Sequence, residues 1–182
     1  MTLNEKEYFQ FIETHHELLL FAGAKHGLIN KSLTCKAFLK LKDFKLKFNC
    51  REKLNSDSDI FDEYLAHKGR SIKESEAAIV NGFRNKITSD FIVFRSLKKH
   101  TIFIDKKKIY GVVALWDPFT NLIEEFPSYL KTTILKFNDK IIYDGFLESY
   151  PIHFGKNIRT SLNQQYQEAK KNGEIISQLT QA

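Results

Sequence analysis

Residues 91–115 read FIVFRSLKKHTIFIDKKKIYGVVAL. Three short apolar runs stand in this stretch, Phe91–Phe94, Thr101–Ile104 and Ile109–Leu115, rich in β-branched and aromatic side chains. Charged segments separate them, Lys98-Lys99 and Asp105–Lys108. Runs of this composition between short charged turns predict three consecutive strands, and connections this short allow only antiparallel neighbours. A β-meander is therefore expected. Downstream, Leu130–Phe137 and Ile141–Asp144 flank Asn138-Asp139 and predict a hairpin, and Pro151–Phe154 offers a further strand. The chain holds 16 Phe and 7 Tyr but one Trp, which suits a sheet with large side chains on its inner face.

Helices are expected on either side of this sheet. Leu3, Tyr8, Phe11, Ile12, Leu18, Leu19 and Ala22 recur at three-to-four spacing and predict a helix over Leu3–Ile29. A short helix is expected over Asp59–His67. Ser71 with Glu74 three residues on forms a capping box for a helix over about 72–87. Asp117-Pro118 opens a short helix, and Asn157 caps a last one over Ile158–Lys171, ended by Gly173. The fold class expected is α+β: an antiparallel sheet, meander plus hairpin, packed by helices, with an N-terminal helix and a basic β-hairpin. Residues 1–70 carry that helix and basic hairpin, and 71–182 the sheet core, together forming one compact unit, which a length of 182 residues allows.

The basic hairpin is the reading of Lys36–Lys53. From Phe44 to Cys50 apolar and polar residues alternate, and Leu39 and Leu41 alternate with Lys40 and Lys42 just before. A turn at Lys42-Asp43 gives a two-stranded ribbon with one apolar and one lysine face. An amphipathic helix through Phe38, Leu41, Lys45 and Phe48 is the competing reading. Lys40, Lys42, Lys45, Lys47 and Arg51, with Lys36 and Lys53, are opposed there only by Asp43 and Glu52. Such a row can follow a phosphate backbone, with Phe38, Phe44 and Phe48 available for stacking on bases where they are not buried. The net charge of +6 points the same way. A solvated lysine face over a packed core is the plainer alternative.

The segment from Ile141 to Ser161 is the second place for chemistry. Asp144 ends a strand, His153 precedes Phe154-Gly155, and Lys156 and Arg159 stand at a helix start. A base, Asp144 or His153, beside a cation, Arg159, can cleave RNA without metal, because the 2′-hydroxyl is an internal nucleophile once deprotonated. A phosphorylated metabolite at the Lys156–Arg159 helix start is another possibility, and a purely structural role for these residues a third. His15-His16 point to different faces of their helix, and the acidic group Asp57, Asp59, Asp62 and Glu63 reads as a solvated helix start. No CxxC, Walker loop, GxSxG or HExxH occurs, so neither metal nor cofactor is expected. The opening residues lack an h-region and no apolar run reaches the roughly 18 residues of a membrane span, so a cytoplasmic chain without membrane contact is expected.

Two resemblances bear on function. From Asp90 to Leu179 the chain resembles an uncharacterised bacterial family, through Tyr110-Gly-Val, Asp117-Pro-Phe, Ile141-Ile-Tyr-Asp-Gly, Phe154-Gly, Ile158-Arg, Ser161-Leu, Tyr166, Ala169-Lys170 and Gly173-Glu-Ile-Ile. A single Gly155 stands where that pattern has a glycine-rich run. In its lysine-rich Lys36–Lys53 hairpin the chain is similar to type II anti-CRISPR proteins that trigger truncation of the guide RNA. That resemblance implies a guide RNA and a type II CRISPR effector nuclease as partners, with Lys40, Lys42, Lys45, Lys47 and Arg51 on RNA. Asp144, His153 and Arg159 are the candidate catalytic residues, and a non-catalytic nucleic-acid- or protein-binding module is the alternative.

Overall fold

The structure, a computed structural model, describes residues 1–180. The chain divides into two compact units, Lys6–Arg84, and Met1–Glu5 with Asn85–Ala182. No helix among the described residues is long and apolar enough to cross a membrane.

The first unit is helical: α1 Glu5–Lys25, α2 Cys35–Lys40, α3 Phe44–Ser56, α4 Ile60–Lys68 and α5 Glu74–Arg84. Apolar stripes at three-to-four spacing meet in one core. Phe83 of α5 stacks on Phe11, on Phe61 and on the ring of His15, with centroids 6.0, 6.2 and 5.1 Å away. Gly23 lets α3 approach α1, since a Cβ there would stand 2.7 Å from the Cys50 sulfur.

His15 is buried in this core, and burial, with the neighbouring His16 and Arg51 charges, holds its pKa well below the ordinary 6.5. The unfolded chain therefore takes up this proton at higher pH than the folded one. Stability from this group is complete above about pH 6.5 and falls as pH drops toward the lower folded value. His16, also lowered by burial, acts in the same direction. Melting temperature is expected to fall between pH 7 and 5, and His15→Leu to make that fall shallower; a profile unchanged by the substitution would contradict the assignment.

The segment expected to be a basic hairpin is helical. Thr34 caps α2, its Oγ1 accepting from the Ala37 N–H at 3.3 Å, and Asp43 caps α3, its Oδ1 accepting from the Leu46 N–H at 2.9 Å. Asp43, at the expected hairpin turn, thus starts a helix instead. Burial follows the helical period: Lys47, Cys50, Arg51 and Leu54 turn inward while Phe44, Lys45 and Asn49 turn out. Lys45 and Lys47, which would share one face of a strand, lie on different sides of α3.

The second unit is a barrel. Its strands are β1 Ile87–Ser96, β2 Thr101–Asp105, β3 Lys108–Val113, β4 Ser128–Phe137, β5 Lys140–Tyr143 and β6 Glu148–Tyr150. The expected meander is present as β1-β2-β3, and the expected hairpin as β4-β5 with Asn138 at positive φ. The sheet order is β1-β2-β3-β5-β4-β6, and β1 also pairs with β4, closing five strands into a barrel. A register shift between Val93 and Arg95 bends β1 so that one strand serves both neighbours. β3 and β5 run parallel, so the sheet is mixed rather than antiparallel throughout. Pro151, expected to start the last strand, has no N–H to donate, and the chain pairs one step earlier, at Glu148–Tyr150.

Inside the barrel an aromatic chain runs Phe91–Phe103–Phe119–Tyr143 with centroids 5.0–5.7 Å apart. Phe119 belongs to α6, Phe119–Leu122, which lies between β3 and β4 in sequence. Two further segments join β3: Leu3 N–H reaches the carbonyl of Ala114, just after the strand, at 3.0 Å, and Ile176 exchanges bonds with Ile109 and Gly111 at 2.8 and 2.9 Å. These connections make a five-stranded Greek-key barrel with an outer face on β2 and β3. Here that outer face is covered. Helix α7, Lys156–Asn172, lays Leu162, Tyr166 and Ala169 over Phe94, Ile102, Ile104 and Ile109. Ile158, expected on the inner stripe of this helix, is instead exposed.

Candidate nucleic-acid interface

Four basic residues of the helical unit lie along the corner between α2 and α3. Lys36 and Lys40 are one turn apart on α2 and share a face; Lys42 lies in the link and Lys45 in the first turn of α3. All four are exposed, and none of the ion pairs among the described residues uses them. Between them stand two exposed apolar side chains, Leu39 and Phe44, the latter 78 % accessible.

The corner is held from beneath. Phe38 is buried, and the Lys47 ammonium lies 5.6 Å from its ring centroid while donating to the Leu39 carbonyl at 3.1 Å. Leu41 N–H closes α2 on the Phe38 carbonyl at 3.1 Å. Lys47 thus braces the corner, and its partial burial lowers its pKa. Arg51 is buried, paired with Glu52, its guanidinium 5.8 Å from the Phe48 ring. Of the five side chains expected on RNA, Lys40, Lys42 and Lys45 face solvent together, whereas Lys47 and Arg51 are turned into the packing.

The candidate catalytic residues occupy different surroundings in the barrel unit. Asp144 is buried at the end of β5 and accepts from the Phe146 N–H at 3.2 Å, shaping the turn at Gly145, where φ is +89°. His153 is almost fully exposed, 3.9 Å from Glu125. Arg159 donates to the Phe154 and Phe126 carbonyls, both at 2.9 Å, and pairs with Glu125. Its guanidinium thereby clamps the start of α7 to the loop before β4, and the anion it holds is Glu125. Arg159→Ala is expected to lower stability by ~1–3 kcal/mol, because two carbonyls and a carboxylate lose their donor. Arg159→Lys cannot make all three bonds and should recover only part of the loss; thermal melts of the two variants check this, and wild-type melting of Arg159→Ala would refute the clamp.

The acidic residues near α4 are engaged one by one. Asp57 binds Lys25 and His26, Glu63 binds Lys25, and Asp62 binds Arg84. No group of three or more His, Cys, Asp or Glu among the described residues is placed to hold a metal ion.

One polar cluster had no signal in the sequence. The Tyr64 hydroxyl bridges Glu17 at 2.8 Å and Glu76 at 2.6 Å, and Lys68 binds the same two carboxylates. Burial and the two carboxylates push the Tyr64 pKa up. Burial disfavours the charged Lys68 and Glu76, but the bonds of Lys68 to Glu17 and Glu76, and those of Glu76 to Tyr64 and Lys68, outweigh it, so Lys68 is raised and Glu76 lowered. The cluster ties α1, α4 and α5 together beside an open groove of about 550 Å³. Tyr64 and Lys68 are four apart on α4, but their partners lie on α1 and α5, so only the folded chain brings the four together.

Comparison of the chain with protein-family models, with curated proteins and with solved structures finds no significant match.

Proposed function

We propose that this protein is a nucleic-acid-binding module that grips phosphates with the α2–α3 corner of its helical unit. The observation that carries this reading is the set of four exposed ammonium groups, Lys36, Lys40, Lys42 and Lys45, none of them neutralised, around a solvent-facing phenyl ring. Ammonium groups on phosphates release condensed counterions, which makes such binding favourable and salt-dependent. The strand order of the barrel is that of OB-type barrels, which bind oligonucleotides across β2 and β3, and it supports the reading by analogy of architecture only. Its usual oligonucleotide face lies beneath α7, which places the burden on the helical corner.

Fluorescence anisotropy of a labelled RNA across a salt series tests it. Four phosphate contacts on a single strand predict a log–log slope of about −3; a slope near zero would overturn the reading. The narrower proposal, inhibition of a type II CRISPR effector nuclease through truncation of its guide RNA, rests on a hairpin that the structure replaces with two helices. Labelled guide RNA incubated with the protein, with and without such a nuclease, separates the two. An intact, retarded band is expected of the binding module, and short products appearing only with the nuclease would favour guide truncation.

A further inference from the structure

We infer that the corner selects unpaired strands, with Phe44 as the platform on which a base stacks. This inference rests on the basic-corner reading and adds to it the class of nucleic acid. Phe44 is the most exposed large apolar side chain among the described residues, at 78 % accessible. An isolated phenyl ring so far out of the core contributes almost nothing to folding, because burial is what makes apolar surface stabilising. Its position has a use: Lys42 and Lys45 flank it in sequence, and Leu39 gives a second exposed apolar contact at the same corner.

The backbone that carries the ring is held in place. Phe44 is the first residue of α3, directly after its cap, and its own N–H donates to the Lys42 carbonyl at 3.1 Å. The Asp43 cap and the Lys47 bond to the Leu39 carbonyl fix the backbone on both sides. Binding therefore has to order the side chain of Phe44 but not the backbone beneath it. Ammonium groups alone cannot tell a single strand from a duplex, since both carry phosphates. A protruding aromatic ring can, because only an unpaired, unstacked base offers it a free π-face, whereas bases in an A-form helix are stacked and reached only through a shallow groove. Charge and ring together describe a site for single-stranded nucleic acid.

The test compares 12-residue oligo(U), whose bases stack weakly on one another, with an RNA duplex of the same length, by anisotropy. Wild type is expected to bind oligo(U) about tenfold more tightly than the duplex. Phe44→Ala should remove that preference by weakening oligo(U) binding about tenfold, while its salt slope stays at the wild-type value. Phe44→Trp should keep the preference. The ring is exposed, so these variants should melt as wild type does. Unchanged oligo(U) affinity in Phe44→Ala would overturn the stacking role. If a variant with Lys36, Lys40, Lys42 and Lys45 all changed to Glu also bound as wild type does, the basic-corner reading itself would fall. Vesicles rich in phosphatidylserine form the remaining arm: loss of vesicle capture by Phe44→Ala with oligo(U) binding intact would assign the ring to an anionic lipid surface and overturn the inference.

Discussion

Charge reversal of Lys36, Lys40, Lys42 and Lys45 to Glu is expected to weaken RNA binding by at least about a hundredfold at 50 mM salt and to remove most of its salt dependence. The four side chains are exposed and outside any ion pair among the described residues, so the change should leave the fold alone; surface substitutions of this kind usually shift stability by less than about 0.5 kcal/mol each. Lys45→Glu puts a negative charge in the first turn of α3, where it suits the helix dipole, and this offsets Lys40→Glu, which puts one in the last turn of α2. Lys47 is the contrasting case. It belonged to the same expected row, but its ammonium braces the Leu39 carbonyl and the Phe38 ring. Lys47→Met should therefore cost some stability while leaving the salt slope near the wild-type value. Equal loss of salt dependence from Lys47→Met and from a single change at Lys40, Lys42 or Lys45 would show that the row, and not the corner, is the functional unit.

The second large effect lies in the barrel. Tyr166→Ala is expected to destabilise its unit by ~3–5 kcal/mol, the usual cost of removing a buried aromatic side chain. Tyr166 is buried against Phe94, with ring centroids 5.8 Å apart, and the Arg95 guanidinium stacks 4.3 Å from the Phe94 centroid and 5.0 Å from that of Tyr166. Arg95 also donates to the Asn163 side chain at 2.9 Å. The layer beneath, Ile102, Ile104 and Ile109, is apolar and would face water without α7. A melting temperature lower by at least about 10 °C is expected for Tyr166→Ala, and near-wild-type melting for Tyr166→Phe, which keeps the ring. Wild-type melting of the alanine variant would mean that α7 is a detachable cover rather than part of the barrel's packing.

The strands of the barrel were legible because their signals are local. Apolar runs rich in β-branched and aromatic residues, the charged turns between them and the Asn138-Asp139 turn identify β1 to β5 without any knowledge of the tertiary fold. Closure of the barrel was not legible: β1 pairing with β4, and β3 lying parallel to β5, join segments far apart in sequence, and no local pattern encodes them. The Lys36–Lys53 segment failed for another reason. Phe44, Leu46, Phe48 and Cys50 satisfy a period of two, while Cys50, Arg51 and Leu54 satisfy the helical period. Asp43 serves equally as turn residue or helix cap, and the bond that decides, from the Leu46 N–H, exists only in the folded chain. Arg159 looked available for an anion because sequence does not show that Glu125 and two carbonyls, more than thirty residues away or across a turn, already occupy it. Exposure of Phe44 is likewise a property of packing.

The location of the bound strand is the most direct check on the whole account. Titration of the ¹⁵N-labelled protein with 12-residue oligo(U), followed through backbone amide shifts, should move resonances from residues 36 to 46 first and most, with little change in β2 and β3. Shifts concentrated in β2, β3 and the 97–100 turn, or none at saturating RNA, would contradict it.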